Sequence, residues 1–222
     1  MAFRAAIFDL DGVLVDSARL HFVAWKRIAD ELGIAFDEHD NEALKGVDRM
    51  GSLDHILALG NLSLDLAARE QLAARKNGYY LDALATMTDA DILPGATALL
   101  ASARAAGMSL GIASASRNAT MVLERAGLLG SIDFVADAAK VALSKPAPDI
   151  FLACAAGLGV APGGCVGFED AAAGVTAIKA AGMIAIGIGD GSILAEADLV
   201  FASTAAVDLD QVLGWAPSAS QV

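Results

Sequence analysis

Residues 7–16 read IFDLDGVLVD, an apolar strand-like run interrupted by Asp9 and Asp11, with Gly12 directly after. Ionised carboxylates are among the last groups a buried strand carries without a reason. On a strand, side chains two residues apart face the same side and lie about 6.5 Å apart. Placed where the strand ends, Asp9 and Asp11 would open into one crevice, and the Asp-Gly step lets the chain leave sharply. Taken alone, either aspartate could instead cap a turn or a helix N-terminus.

Working outward, short apolar runs recur at Ala5–Leu10, Met108–Ala113, Phe134–Ala136, Cys165–Phe168 and Met183–Ile188. Helical patterns lie between them at Ala96–Ala106, Ala119–Ala126, Pro148–Leu158 and Ala172–Ala181. Gly107, Gly127, Gly159 and Gly182 stand just past those helices, where a left-handed residue is favoured. Strands alternating with helices predict an α/β fold, a Rossmann-like parallel sheet covered on both faces, with ligands at the carboxyl ends of the strands. From about Asp16 to Asp89 the alternation stops. Apolar residues there keep helical spacing, as in Phe22, Trp25, Ile28 and Leu32. This predicts an all-helical insertion, with residues 1–15 and 89–222 forming the core domain and 16–88 the inserted one. DADILPG (89–95) marks the return, and only the tail APSASQV (216–222) reads as a flexible end.

The bulk numbers narrow the function classes. The chain has 222 residues, 56% hydrophobic and 19% charged, which supplies a large core and argues against disorder. A formal charge of −12 argues against nucleic acid or an anionic membrane as partner. With only 15 Lys and Arg, an anion-binding site must gather its cations locally. Ile150 to Phe168 carries no charge over 19 residues, but its glycines and Pro162 break it into a helix, a turn and a buried strand rather than a membrane span. No signal-peptide pattern opens the chain. Cys154 and Cys165 sit in apolar contexts without metal-like spacing and read as reduced, buried thiols. A cytoplasmic protein is expected.

Three further elements carry chemistry. Glu169-Asp170 ends the run CVGF; if it meets Asp9 and Asp11, carboxylates about 6.5 Å apart repel by roughly 2.5 kcal/mol per pair at an effective dielectric of 20. Either some are protonated or a hard cation neutralises them, and an all-oxygen set without clustered His or Cys favours Mg²⁺ over zinc. Glu169 on its own could be an ordinary acid at a helix N-terminus. ASASRN (113–118) follows an apolar strand and precedes a helix; Ser114, Ser116, Arg117 and Asn118 suit a phosphate there, or the serines simply cap the helix. Lys145-Pro146, in LSKPAPDIF, offers one cation beside prolines that start a helix.

In this order and spacing, DLDGV, SAS, KP and GFEDAAAG resemble the four signature segments of the haloacid dehalogenase superfamily of phosphotransferases, and the helical insertion resembles its cap domain. The resemblance implies that Asp9 is the nucleophile, forming an aspartyl-phosphate, and Asp11 the general acid/base. Ser114 and Lys145 would hold the transferring phosphoryl oxygens. Mg²⁺ would be bound by Asp9, the Asp11 carbonyl, Glu169 and Asp170.

HFVAWKRIADELGI (21–34), LKGVDRMGSL (44–53) and ARKNGYY (74–80) are similar to the beta-phosphoglucomutases within that superfamily, as are IASASRN, SKPAPDIF and GVAPGGCVGFED. The likeness runs from residue 5 to about Gly189. It implies interconversion of β-glucose 1-phosphate and glucose 6-phosphate through a bound 1,6-bisphosphate, in a protein that is by default monomeric. Arg49, with Ser116, Arg117 and Asn118, would hold the second, non-reacting phosphate. Lys45, Gly46, Val47, Ser52 and Ala115 would line the sugar, and His21 and Lys76 would couple cap closure to Asp11. Trp25 is a further candidate for the sugar wall, though its spacing equally suits the cap's own core, and Lys76 could be a solvated helix residue. Ser17 stands where threonine is common, Arg117 where lysine is common and Ala171 where serine is frequent; none removes a reacting group. The competing reading is a sugar-phosphate phosphatase with the same Asp9 and Asp11 roles, and the fate of the phosphoenzyme separates the two.

Overall fold

A computed structural model describes residues 3–215; the tail APSASQV lies outside the described residues. Six parallel strands form one sheet in the order β3-β2-β1-β4-β5-β6. They are β1 (Ala5–Phe8), β2 (Ser109–Ile112), β3 (Phe134–Val135), β4 (Cys165–Glu169), β5 (Ile184–Ile188) and β6 (Leu199–Phe201). Four helices lie between β1 and β2: α1 (Ala18–Glu31), α2 (Glu38–Glu42), α3 (Arg49–Leu59) and α4 (Leu66–Leu84). A fifth, α5 (Ala96–Ala105), leads into β2, and α6 (Ala119–Arg125), α7 (Asp149–Gly157), α8 (Ala172–Ala180) and α9 (Leu209–Gly214) follow.

The expected α/β alternation is therefore what the chain adopts, with boundaries within one or two residues. The first strand ends earlier than its sequence suggests, at Phe8 rather than Leu10. β6 was not expected; it is a three-residue edge strand, only partly buried, and LVF is too short to show a period. Gly107, Gly127, Gly159 and Gly182 all take positive φ, between 68° and 79°, as their positions after helices require.

β1 is buried along its whole length because helices cover both faces. Ala6 and Phe8 face one cluster with Leu99, Leu100 and Val122 of α5 and α6; Ala5 and Ile7 face the other, with Phe151 and Cys154 of α7 and Ile178 of α8. Phe8 stacks on Phe168 of the neighbouring strand, centroids 4.7 Å apart. Both cysteines are free and buried. Trp25, Ile28, Phe36, Leu53 and Ile56 form a third cluster among the four inserted helices, so this layer has a core of its own. No helix among the described residues is long and apolar enough to cross a membrane.

Two chain segments join the helical layer to the sheet, and they run side by side. Val15 bridges antiparallel to Ile92, Asp16 N–H donates to Asp91 O at 2.8 Å, and Leu93 N–H to Leu14 O at 2.9 Å. On the sheet side, the buried Thr204 hydroxyl donates to Val13 O at 2.6 Å. Arg19 pairs with both Asp16 and Asp91 beside this ribbon.

Removing the aromatic stack tests how far the central strands carry the fold. Phe168→Ala should destabilise by about 3–5 kcal/mol, as expected for a fully buried aromatic; urea denaturation measures it.

Candidate active site

The register of the sheet brings the acidic groups together. Phe8 pairs with both Ile112 and Phe168, so the residues just beyond all three strands project from one edge. Asp9 N–H donates to Phe168 O at 2.9 Å, continuing the ladder one step past β1. Asp9, Glu169 and Asp170 each place a carboxylate oxygen within 4.8 Å of the others.

Asp11 departs from the strand-pleat expectation. The chain has already turned at Gly12 (φ 83°), where Gly12 N–H donates to Val15 O at 2.9 Å. A Cβ at Gly12 would run into the Asp170 carboxylate, so the turn needs glycine for space as well as for φ. Because of the turn, the Asp11 carboxylate leaves the three-carboxylate cluster. It accepts from the hydroxyl of buried Ser17, lies 3.7 Å from His21 Nε2 and 3.5 Å from Ser114 Oγ.

Lys145 sits inside the cluster with Nζ 2.6 Å from Asp9 Oδ1 and 2.8 Å from Glu169 Oε2. Burial works against its charge, but the two carboxylates more than offset that and hold its pKa above the ordinary lysine value. Glu169 is fully buried, unlike a helix-terminal acid in water, and accepts from Ala171 N–H at 3.3 Å. One lysine does not balance the set. Burial, with the Asp9 charge next, raises Asp11 to about 6 and Asp170 to about 7, and burial raises Glu169 well above the usual carboxylate range. The bare cluster thus holds protons that a hard cation could replace; the all-oxygen donors at this spacing fit such an ion.

A cavity of about 510 Å³ opens over this cluster, between sheet edge and helical layer. Of the sequence candidates, Asp9, Asp11, His21, Trp25, Lys45, Gly46, Val47, Arg49, Ser52, Lys76, Ala115, Ser116, Arg117, Lys145 and Asp170 line it. Gly46 lies beside Lys145, where a Cβ would sit 3.5 Å from Lys145 Cδ in ordinary contact; its φ of 73° rather than space is what favours glycine. Lys45 pairs with Glu42 at 2.9 Å and its charge partly counters the rise at Asp170.

Ser114, Asn118 and Glu169 lie behind the lining rather than in it. The Ser114 hydroxyl accepts from Ser116 N–H at 3.0 Å, and the Ser116 hydroxyl accepts from Asn118 N–H at 3.2 Å, so the serines shape the loop ahead of α6. Among the described residues Asn118 caps α6 without a side-chain bond, leaving its amide free to face the helical layer.

Lys76 is not the solvated residue its sequence context allows; it is 3% exposed. Its Nζ lies 4.7 Å from the Trp25 ring centroid, 5.0 Å from Tyr80's and 2.8 Å from His21 Nδ1. Burial, and then the Arg49 charge, lower it to about 7. Burial together with the Lys76 charge pushes His21 well below its ordinary value. A neutral His21 accepting at Nδ1 carries its proton on Nε2, the nitrogen that faces Asp11. Trp25 plays both suggested parts, packing in the helical core and lining the cavity. Two residues not marked by the sequence are Tyr80, whose ring lies tilted against His21 with centroids 4.1 Å apart, and Asn77, which bonds Arg49 and Asn118. Both lie in the quoted ARKNGYY, but nothing in a linear string marks which of its polar groups point inward.

A parallel sheet of this topology, with carboxylates and a buried lysine gathered where β1 and β4 end, is the arrangement of a haloacid dehalogenase-type enzyme. A family model described as haloacid dehalogenase-like hydrolase matches residues 3–182, and the chain belongs to this family. It is 43% identical over 209 residues to the beta-phosphoglucomutase of Bacillus subtilis (strain 168), covering 93% of this chain and 92% of that one. It is 33% identical to a fructose-1-phosphate phosphatase of Escherichia coli (strain K12), covering 84% and 96%. Among solved structures, beta-phosphoglucomutase from Clostridium difficile superposes with a TM-score of 0.92 at 42% identity, over 95% of each chain.

The cluster's protonation yields a test. Asp170 is raised from 3.8 to about 7, so between those values the fold keeps a proton that the unfolded chain has lost, and this contribution to stability falls as pH rises to about 7. Stabilisation by a divalent cation should therefore be full above pH 7 and shrink as pH falls through it. Thermal melts with and without cation at pH 8 and pH 5.5 measure this, and Asp170→Asn should lose most of the shift at both.

Proposed function

We propose that this protein interconverts β-D-glucose 1-phosphate and glucose 6-phosphate through an aspartyl-phosphate and a glucose 1,6-bisphosphate that stays in the cavity. One observation carries the reading beyond the family. The cavity is lined by Lys145 beside Asp9 and by a second group of donors, Arg49, Ser116 and Arg117, with Asn118 behind them, which supports a place for each of two phosphates. A phosphatase for a monophosphate needs only the first set; a mutase holds two phosphates at once.

Asp9 is the group we assign to attack phosphorus, with Lys145 holding its charge. Mg²⁺, bound by Asp9, the Asp11 carbonyl, Glu169 and Asp170, would offset the repulsion between attacking carboxylate and phosphate. Asp11 takes the proton of the attacking sugar hydroxyl and returns one to the leaving oxygen. Ser17 and His21 aim its carboxylate. Lys76 fixes the His21 ring, which ties this aim to the helical layer. Residues 16–88 serve as a cap that brings Trp25, Lys45, Gly46, Val47 and Ser52 around the sugar, opposite Ala115 of the core, and shields the phosphoenzyme from water. The two free, buried thiols suit a reducing cytoplasm.

A coupled assay with Mg²⁺, β-glucose 1-phosphate and added 1,6-bisphosphate should show isomerisation well ahead of phosphate release. Faster release of inorganic phosphate would make the protein a phosphatase. Asp9→Ala should abolish a trapped phosphoenzyme, and surviving label would remove Asp9 as nucleophile. Arg49→Ala should lower mutase kcat/KM by about 100-fold, the loss of a charged anchor worth about 3 kcal/mol, and acetyl phosphate hydrolysis far less. Equal losses would contradict two phosphate sites.

A further inference from the structure

Asn77, half-buried on α4, accepts two hydrogen bonds on one side-chain oxygen: from Arg49 Nη2 at 2.7 Å and from Asn118 Nδ2 at 2.9 Å. A guanidinium has no acceptor, which fixes the amide's orientation with its oxygen toward Arg49. The donors come from the two sides of the cavity. Arg49 opens α3 in the helical layer, and Asn118 directly precedes α6 in the core. Guanidinium and primary amide both keep further N–H groups after serving Asn77, so neither is used up. Asn77 itself does not line the cavity.

The geometry points to Asn77 as a positioning residue for the second phosphate: one neutral oxygen that gathers a cap donor and a core donor to a common point before the anion arrives. This rests on the mutase reading in giving Arg49 and Asn118 to that phosphate. Neutrality is the telling feature. Aspartate at 77 would accept from the same two donors and more strongly, so as a mere cap-to-core latch it would serve as well or better. Facing an incoming phosphate dianion, it would present a like charge beside the donors that the anion needs. Alanine would leave the arginine without its acceptor, and the long side chain would regain its freedom.

The test uses the full chain with Mg²⁺ and β-glucose 1-phosphate. Asn77→Ala should raise KM about tenfold, the effect of one charged hydrogen bond, with kcat changed by less than about threefold. Asn77→Asp should raise KM further than alanine does. Adding Arg49→Ala to Asn77→Ala should cost clearly less than Arg49→Ala costs alone, because both act through one anchor. An unchanged KM, an aspartate variant equal to wild type, or strictly additive losses would each overturn the proposal. If the alanine variant fails to fold, the aspartate variant, which keeps both hydrogen bonds, decides alone. Should the wild-type protein hydrolyse rather than isomerise, the mutase reading falls by itself. Asn77 is then judged by the KM for hydrolysis of glucose 1,6-bisphosphate, whose second phosphate still needs an anchor: a rise in both variants supports it, and no rise overturns it.

Discussion

The ammonium of Lys145, clasped between Asp9 and Glu169, is the contact on which the site depends. Buried carboxylates this close would each be costly to ionise, and a lone buried lysine would be as costly to keep charged. Together they are tolerated, with a residual negative charge that leaves room for a cation. The arrangement is possible because β1 and β4 are neighbours in register, Phe8 beside Phe168, so the residues that follow emerge at one edge. A slip of one residue would turn one carboxylate into the apolar layer. The aromatic stack and the two helical layers thus keep charges apart by only a few ångströms where the core ends.

A second constraint concerns the helical layer, which must cover the cavity without touching the reacting groups too tightly. Gly46 turns the backbone beside Lys145 with a positive φ, while Lys76 reaches His21 from α4. The aromatic faces of Trp25 and Tyr80 make a buried ammonium acceptable in a layer otherwise packed with aliphatic side chains. The buried ammonium of Lys76 is received by aromatic rings and an imidazole, and the Arg49 guanidinium by an asparagine.

Much of this was legible in the sequence because parallel strands buried on both faces leave continuous apolar runs, and helices that return to a sheet leave glycines behind them. The gathering of Asp9, Glu169 and Lys145 follows from where those runs stop. Asp11 was harder: its direction is set by the turn at Gly12, not by strand alternation, and a turn re-aims a side chain in a way that spacing does not encode. Lys76 and Asn77 were harder still. Adjacent on one helix, they are polar letters in a polar stretch, and only packing against α1 and the core loop shows that both point inward. β6 escaped because three residues at a sheet edge carry no period.

The twin segments joining cap and core have a mechanical consequence. Thr204 pins Val13, and Leu14 and Asp16 are hydrogen-bonded to the returning chain, so the cap hangs from a short two-stranded strap anchored at its core end. The hydrogen bonds between its two segments oppose sliding of one past the other. Ser17 stands at the first position beyond it and grips the Asp11 carboxylate. The hydroxyl that orients the proposed general base thus belongs to the segment leading into the helical layer, so the direction of that carboxylate depends on where the layer sits.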